Sequence, residues 1–125
     1  MAKKLSQSKL NKKVQNIIQD YLSNLEHKIN IQKAILFGSA ARGEMHRDSD
    51  IDLIILSNDF KKMDFIDRIV LLTRLRRNMT KSAAMDIFGY TPAEFNRLSQ
   101  ESIILNQAKK EGIFLYEPNK KFKKM

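Results

Sequence analysis

The sequence predicts an α/β (α+β) domain on three observations. Helical and strand-like patterns alternate along the chain, the two clearest apolar runs have strand length, and 125 residues suffice for one three-layer core. The first run, Ile31 to Phe37, ends in Gly38-Ser39, and the second, Ile51 to Leu56, follows Asp50 and contains Asp52.

Each element has its own signal. Leu10, Val14, Ile17, Ile18, Tyr21, Leu22, Leu25 and Ile29 recur at helical spacing and predict an amphipathic helix from about Ser6 to Lys28, packed across a sheet. Ile31 to Phe37 reads as a buried strand, Ser39 to Arg42 as a helical turn entered through Gly38, and Gly43 to Ser49 as a polar loop. A second strand, Ile51 to Leu56, stops at Ser57-Asn58-Asp59. Met63, Ile66, Ile69, Val70, Leu72 and Leu75 then predict a helix over 63–77. Ala83 to Phe88 is apolar except for Asp86 and reads as a third strand bounded by Gly89. Thr91-Pro92-Ala93-Glu94 is a helix start, with Thr as N-cap and Glu three residues on, and that helix ends near Leu98. Another helix follows to about Gly112, and Ile113 to Tyr116 forms a last strand. The expected division is an N-terminal helix over 1–30, a domain over 31–116 and a loose basic tail over 117–125.

Composition narrows the function classes. Cysteine is absent, which excludes disulfides and thiolate metal sites and makes a cytoplasmic setting the natural expectation. No apolar run approaches the roughly 20 residues that span a bilayer, and Met1-Ala2-Lys3-Lys4-Leu5 is followed by polar residues, so neither a membrane span nor a signal peptide is expected. The net charge of +9 can attract nucleic acid, nucleotides or an acidic protein. Its excess lies at the ends, in Lys3, Lys4, Lys9, Lys12 and Lys13 and in Lys120, Lys121, Lys123 and Lys124. Solvated ends account for that pattern as well as an RNA-binding stripe does, since no aromatic platform is interleaved with the lysines. His27 and His46 have no metal-ligand neighbour at useful spacing and receive no role.

The chemistry is concentrated in two strand ends. Side chains alternate along a strand, so Asp50 and Asp52 project to one side while Ile51 turns to the other. Two carboxylates that close repel unless a cation lies between them, and hard oxygen donors suit Mg²⁺, which takes one or two protein carboxylates together with substrate phosphates. Gly38 offers a backbone without a side chain where a phosphate can approach, and Ser39 a hydroxyl at a helix start. If the Asp86 strand lies beside the Asp52 strand, three carboxylates converge in the arrangement that two-metal nucleotidyl transfer requires. Asp86 is then a metal ligand or the general base. The competing reading is a solvent-exposed Asp, or one that caps the Gly89-Tyr90 turn.

Gly38-Ser39, ten residues, then Asp50-Ile51-Asp52 resembles the Gly-Ser-x10-Asp-x-Asp signature of the minimal nucleotidyltransferases, a branch of the DNA polymerase beta superfamily. Phe37-Gly38-Ser39-Ala40-Ala41-Arg42-Gly43, Ser49-Asp50-Ile51-Asp52-Leu53 and Glu111-Gly112-Ile113-Phe114-Leu115-Tyr116 are similar to further family segments, so the resemblance spans about residues 31–116. It implies a mixed sheet of about three to five strands flanked by helices, Mg²⁺-ATP as donor, and Asp50, Asp52 and Asp86 as a metal triad. It also implies that Gly38 and Ser39 hold the β- and γ-phosphates, with Arg42 adding charge there. Arg42 as a surface cation paired with Glu44 or Asp48 is the competing reading, while Ser39 can cap its helix and contact phosphate at once. Asp48 and Ser49 fit turn positions.

Small members of the family pair with all-helical HEPN toxins, and some act as antitoxins by transferring AMP to a tyrosine of the toxin. The chain is too short for a second catalytic lobe, so the resemblance implies that a partner supplies the acceptor. A small-molecule or RNA-end acceptor, and a non-catalytic antitoxin that acts by contact, are the alternatives.

Overall fold

Among the residues that the computed structural model describes (3–4, 12–38, 41, 51–75 and 85–116), helices and strands alternate as expected. In chain order they are β1 (Lys3–Lys4), α1 (Lys12–Leu25), β2 (Lys33–Phe37), β3 (Ile51–Leu56), a 3-10 helix (Asn58–Lys62), α2 (Phe65–Arg74), β4 (Met85–Tyr90), α3 (Pro92–Leu98), α4 (Ile103–Glu111) and β5 (Ile113–Tyr116). The strands form one mixed sheet in the order β1-β5-β2-β3-β4. Strand β2 runs antiparallel to β3 and β5, while β3 pairs with β4, and β1 with β5, in parallel. The parallel pair β3-β4 needs a crossover, which the 3-10 helix and α2 provide.

The period of two sorts the strand residues onto two faces. Ala34, Leu36, Ile51, Leu53, Ile55 and Met85 share a core with Val14, Ile17, Ile18, Tyr21, Leu22 and Leu25 of α1 and Leu72 of α2. Burying side chains of this size contributes roughly 1.5–3 kcal/mol apiece, so the stripe on α1 anchors that helix. Polar bonds fix its position. The Tyr21 hydroxyl donates to the Leu72 carbonyl at 2.8 Å and the Asn24 amide to the Leu75 carbonyl at 2.8 Å, which satisfies carbonyls that the end of α2 leaves open. On the other face Ile35, Ile54 and Leu56 pack with Phe95 of α3 and Ala108 of α4.

Several boundaries differ from the sequence reading. Helix α1 ends at Leu25, and residues 26–28 form a turn closed by bonds such as Lys28 N–H to Leu25 O at 2.8 Å. The stop after β3 opens a 3-10 helix, with the Ser57 hydroxyl accepting from Asp59 N–H. Gly89 lies inside β4 and does not bound it. A Cβ there would come within 2.8 Å of the Phe60 ring, so the missing side chain is what lets Phe60 pack against the strand. Lys3–Lys4, expected as part of a solvated end, forms the short outermost strand. The start of α3 follows the sequence closely: Glu94 N–H donates to Thr91 Oγ1 at 3.1 Å and Thr91 N–H donates to Glu94 Oε1 at 2.9 Å, with Pro92 opening the helix.

Helix α2 forms where its period predicts it, but turned. Arg68 and Leu72 face inward, whereas Phe65, Ile66, Ile69 and Val70 stand on an exposed face, Ile66 being 65% exposed. The cause is the guanidinium. Arg68 Nε donates to Met63 O, Nη1 to Gly89 O and Glu94 Oε1, and Nη2 to Phe60 O and Glu94 Oε2, over 2.7–3.1 Å. Five donors in a fixed fork are all used, and the guanidinium lies 5.5 Å from the Phe60 ring centroid. No described helix is long and apolar enough to cross a membrane.

Candidate active site

Strand pairing brings two of the predicted carboxylates together. Asp52 lies opposite Phe37 in the antiparallel pair and opposite Asp86 in the parallel pair, so Asp52 and Asp86 are neighbours across strands that run about 4.8 Å apart. Both are in phase with Ile54 and Phe88, on the sheet face that α3 and α4 cover. That cover is partial. Ile54 and Leu56 are buried beneath it, whereas Asp52 is half-buried and Asp86 exposed at the open end. The reading of Asp86 as a cap on the Gly89-Tyr90 turn loses its basis, because both residues continue the strand.

Gly38 completes this end of the sheet. It follows β2 with φ of 75°, the left-handed region that favours glycine, and a Cβ at this position would lie 2.5 Å from Asp52 Oδ2. The backbone therefore passes directly beside the carboxylate, leaving a cradle that any larger residue would fill. Ala41 N–H donates to the Gly38 carbonyl at 3.1 Å, and Ala41 is in helical conformation. Ser39, Arg42 and Asp50 lie outside the described residues. Among the described residues no group of three His, Cys, Asp or Glu side chains is placed to hold a metal ion. The oxygen donors Asp52 and Asp86 beside a bare backbone are nevertheless the donor set that Mg²⁺ and a phosphate chain use.

A cleft of about 160 Å³ also borders Gly38. Phe37, Gly38 and Ala41 form one wall, and Ile104, Gln107, Ala108 and Glu111 of α4 the other, with Gly112 at the base. The four α4 residues are spaced i, i+3, i+4 and i+7 and so share one helix face. Gly112 is jammed against β2, where a Cβ would collide with Ile35 and the Ala108 carbonyl, and this close approach sets α4 against the strand that carries Phe37. The sequence reading assigned none of these α4 residues to the site. The signal was available in their spacing, since two exposed polar residues alternate there with two small or apolar ones.

The Arg68–Glu94 pair lies at the opposite end of β4 and is structural. Its shortest contact is 2.7 Å, with Arg68 nearly buried and Glu94 about a third exposed. The hydrogen bonds from Arg68 hold the Glu94 carboxyl below its ordinary pKa, against the opposing effect of burial, and the Thr91 backbone adds to the lowering. The neighbouring Tyr90 is pushed up by burial first and by the Glu94 charge second.

Comparison with known proteins agrees with this architecture. No curated protein matches the chain in sequence. Among solved structures, a candidate nucleotidyltransferase from Sulfolobus solfataricus superposes with a TM-score of 0.57 at 23% identity, covering 89% of this chain and 83% of that one. A toxin–antitoxin structure with AMP-PNP superposes with a TM-score of 0.52 at 24% identity, covering 79% of this chain and 72% of that one. At these identities the likeness shows the fold. The sequence itself goes further: residues 12–121, nearly the whole chain, match the family described as Polymerase beta, Nucleotidyltransferase, and the chain belongs to that family.

Proposed function

We propose that the protein transfers AMP from ATP to a hydroxyl, that of a tyrosine on a HEPN-type toxin partner, and so serves as the antitoxin of a pair. The observation that carries the transfer is the alignment of Gly38, Asp52 and Asp86 across three adjacent strands at the open end of the sheet. The antitoxin role is supported by the structural neighbour that is itself a toxin–antitoxin assembly with AMP-PNP.

Each residue has a task in this reading. The backbone at Gly38, with Ser39 and Arg42, which follow it in the sequence, holds the β- and γ-phosphates. Asp52 and Asp86, with Asp50, would hold Mg²⁺, which when bound neutralises phosphate charge and acidifies the attacking hydroxyl. Asp86, outermost and exposed, accepts the acceptor's proton as its oxygen forms a bond to the α-phosphorus. The bond from that phosphorus to the bridging oxygen breaks, and pyrophosphate leaves with the electron pair. The approach is in line, so acceptor and leaving group lie on opposite sides of the phosphorus.

The exposed apolar face of α2 favours a second reading, in which the partner is neutralised by contact. One experiment separates the two. ATP labelled at the α-phosphate, with a γ-labelled control, is incubated with the protein, Mg²⁺ and host lysate, alongside Asp52→Asn. α-Label in one protein band, absent in the variant, supports AMP transfer to a protein. α-Label only in RNA or small molecules moves the acceptor to that class. No transfer by a folded protein, with neutralisation intact in Asp52→Asn, overturns transfer in favour of contact.

A further inference from the structure

We infer that the outer edge of β4 docks the acceptor protein, an extended segment of which adds to the sheet there as a strand with its hydroxyl residue opposite Asp86, an inference that rests on the reading of Asp52 and Asp86 as the transfer site. Among the described residues β4 is the last strand of the sheet, paired with β3 on one side only. The Tyr90 carbonyl accepts from Ser57 N–H at 3.0 Å, which sets the phase of the strand. The backbone groups of Asp86, Phe88 and Tyr90 turn toward β3, and those of Met85, Ile87 and Gly89 turn outward. A row of outward groups is a template for one more strand.

The edge is closed at one end. Arg68 Nη1 donates to the outward Gly89 carbonyl at 3.1 Å, and Glu94 holds the same guanidinium, so further pairing stops there. Among the described residues nothing bonds the outward groups of Met85 and Ile87, which flank Asp86. Antiparallel addition makes Met85 and Ile87 the hydrogen-bonded positions and Asp86 a non-hydrogen-bonded one, where side chains of neighbouring strands come closest, about 4.5–5.5 Å between Cβ atoms. The residue opposite Asp86 then projects from the sheet face that carries Asp86 and Asp52. An extended segment therefore satisfies this edge and delivers a hydroxyl side chain to the carboxylate in one step.

The occupant is a different protein. Centred on Asp86, a twofold pair of β4 strands would set like charges directly opposite; centred on Ile87, it would need the Gly89 carbonyl that Arg68 already occupies. Both registers work against a second copy of this chain. Apolar area comes from α2, whose Phe65 ring lies 6.2 Å from that of Tyr90. Exposed Phe65, Ile66, Ile69 and Val70 thus adjoin the closed end of the same edge and offer the acceptor protein a seat that a short ladder lacks.

The test compares Ile87→Pro with Ile87→Ala. Both lose the same side chain from the core, and only proline removes the outward N–H, a position that an edge strand tolerates because no bond to β3 is lost. Each variant and the wild type receive α-labelled ATP and Mg²⁺ with host lysate, and separately with N-acetyltyrosine amide, a small acceptor that has no chain to pair. Protein labelling by Ile87→Pro should fall at least about tenfold below that by Ile87→Ala, while the two transfer equally to the small acceptor. Equal protein labelling by the two, or an equal fall with both acceptors, would overturn docking at the edge and leave the transfer reading standing. Wild-type transfer to the small acceptor with no protein labelled would overturn the protein acceptor and the docking together, and no wild-type transfer to either would overturn the transfer reading itself. The wild type also gives a readout that does not depend on whether Ile87→Pro folds. Hydrogen exchange at the Ile87 amide should slow at least about tenfold when the purified acceptor protein is added, with Phe88 unchanged. No slowing would overturn the docking, and slowing that rises with the concentration of this chain alone would assign the edge to a second copy.

Discussion

Strand β4 has a charged cluster at each end, and the two ends are built on opposite terms. At Asp86 the sheet sets one carboxylate beside another, Asp52, where the cover of α3 and α4 stops short. At Gly89 the strand's carbonyl joins a buried guanidinium whose five donors are all used and whose charge is matched by Glu94. The second end closes its own electrostatics and leaves nothing for a ligand. The first sets two carboxylates side by side next to a backbone without a side chain, and it is the end proposed to take a cation and phosphates. Two charged clusters at the ends of one strand thus differ in kind: one is closed by its own partners, and the other is the end proposed to take a ligand.

The largest effect is expected at the open end. Asp52→Asn should reduce label transfer by about a thousandfold, as loss of a group that stabilises transition-state charge does, with an unchanged melting temperature. A variant that melts early would place Asp52 on the structural side. At the closed end, Arg68→Met should cost about 3 kcal/mol in chemical denaturation, the low end for breaking a buried charge pair, because three carbonyls lose their donor along with Glu94. Transfer per folded molecule should be retained.

Two glycines sharpen the contrast. Gly89→Ala forces a methyl to 2.8 Å from the Phe60 ring and 3.1 Å from Leu72, an overpacking of about 1–3 kcal/mol that denaturation will register while nucleotide affinity stays the same. Gly38→Ala combines left-handed backbone with the collision at Asp52, so it should lower stability by about 1–2 kcal/mol and remove detectable ATP binding in calorimetry.

The smallest effect is the pH dependence of the closed end. Glu94 has its folded pKa lowered from an ordinary value of 4.5, chiefly by the Arg68 hydrogen bonds, so the unfolded chain binds the proton first. The stabilisation is complete above that value and is lost as pH falls through the lower folded one. Melting temperatures measured across that acid range should fall more steeply in the wild type than in Arg68→Met, and parallel curves would show that the pair does not contribute.

Local signals proved legible where sequence alone determines the geometry. The short apolar run Ile51 to Leu56, with its stop at Ser57-Asn58-Asp59, located β3, and Thr91-Pro92-Ala93-Glu94 announced a helix start whose bonds close within four residues. Asp86 stood out as a polar residue in an apolar run, and the sheet set it beside Asp52. What stayed hidden depended on distant partners. The apolar residues of α2 marked a helix but not its rotation, which Arg68 and Glu94 decide across 26 positions. A two-residue strand such as Lys3–Lys4 has no period to read, and Gly89 signals a boundary until Phe60 is seen to need the space. The α4 wall of the cleft was invisible for the same reason, since only the packing of Gly112 on β2 brings Gln107 near Gly38.

The order of the strands also governs when the molecule can finish folding. Strand β5, made from residues 113–116, inserts between β1 and β2, so until those residues leave the ribosome the sheet consists of β2, β3 and β4 with an unpaired edge at β2. The three strands that bear Gly38, Asp52 and Asp86 can assemble before the outer edge is sealed. Synthesis therefore builds the candidate site early and leaves its last long-range pairings, which are slow to form, to the opposite side of the molecule.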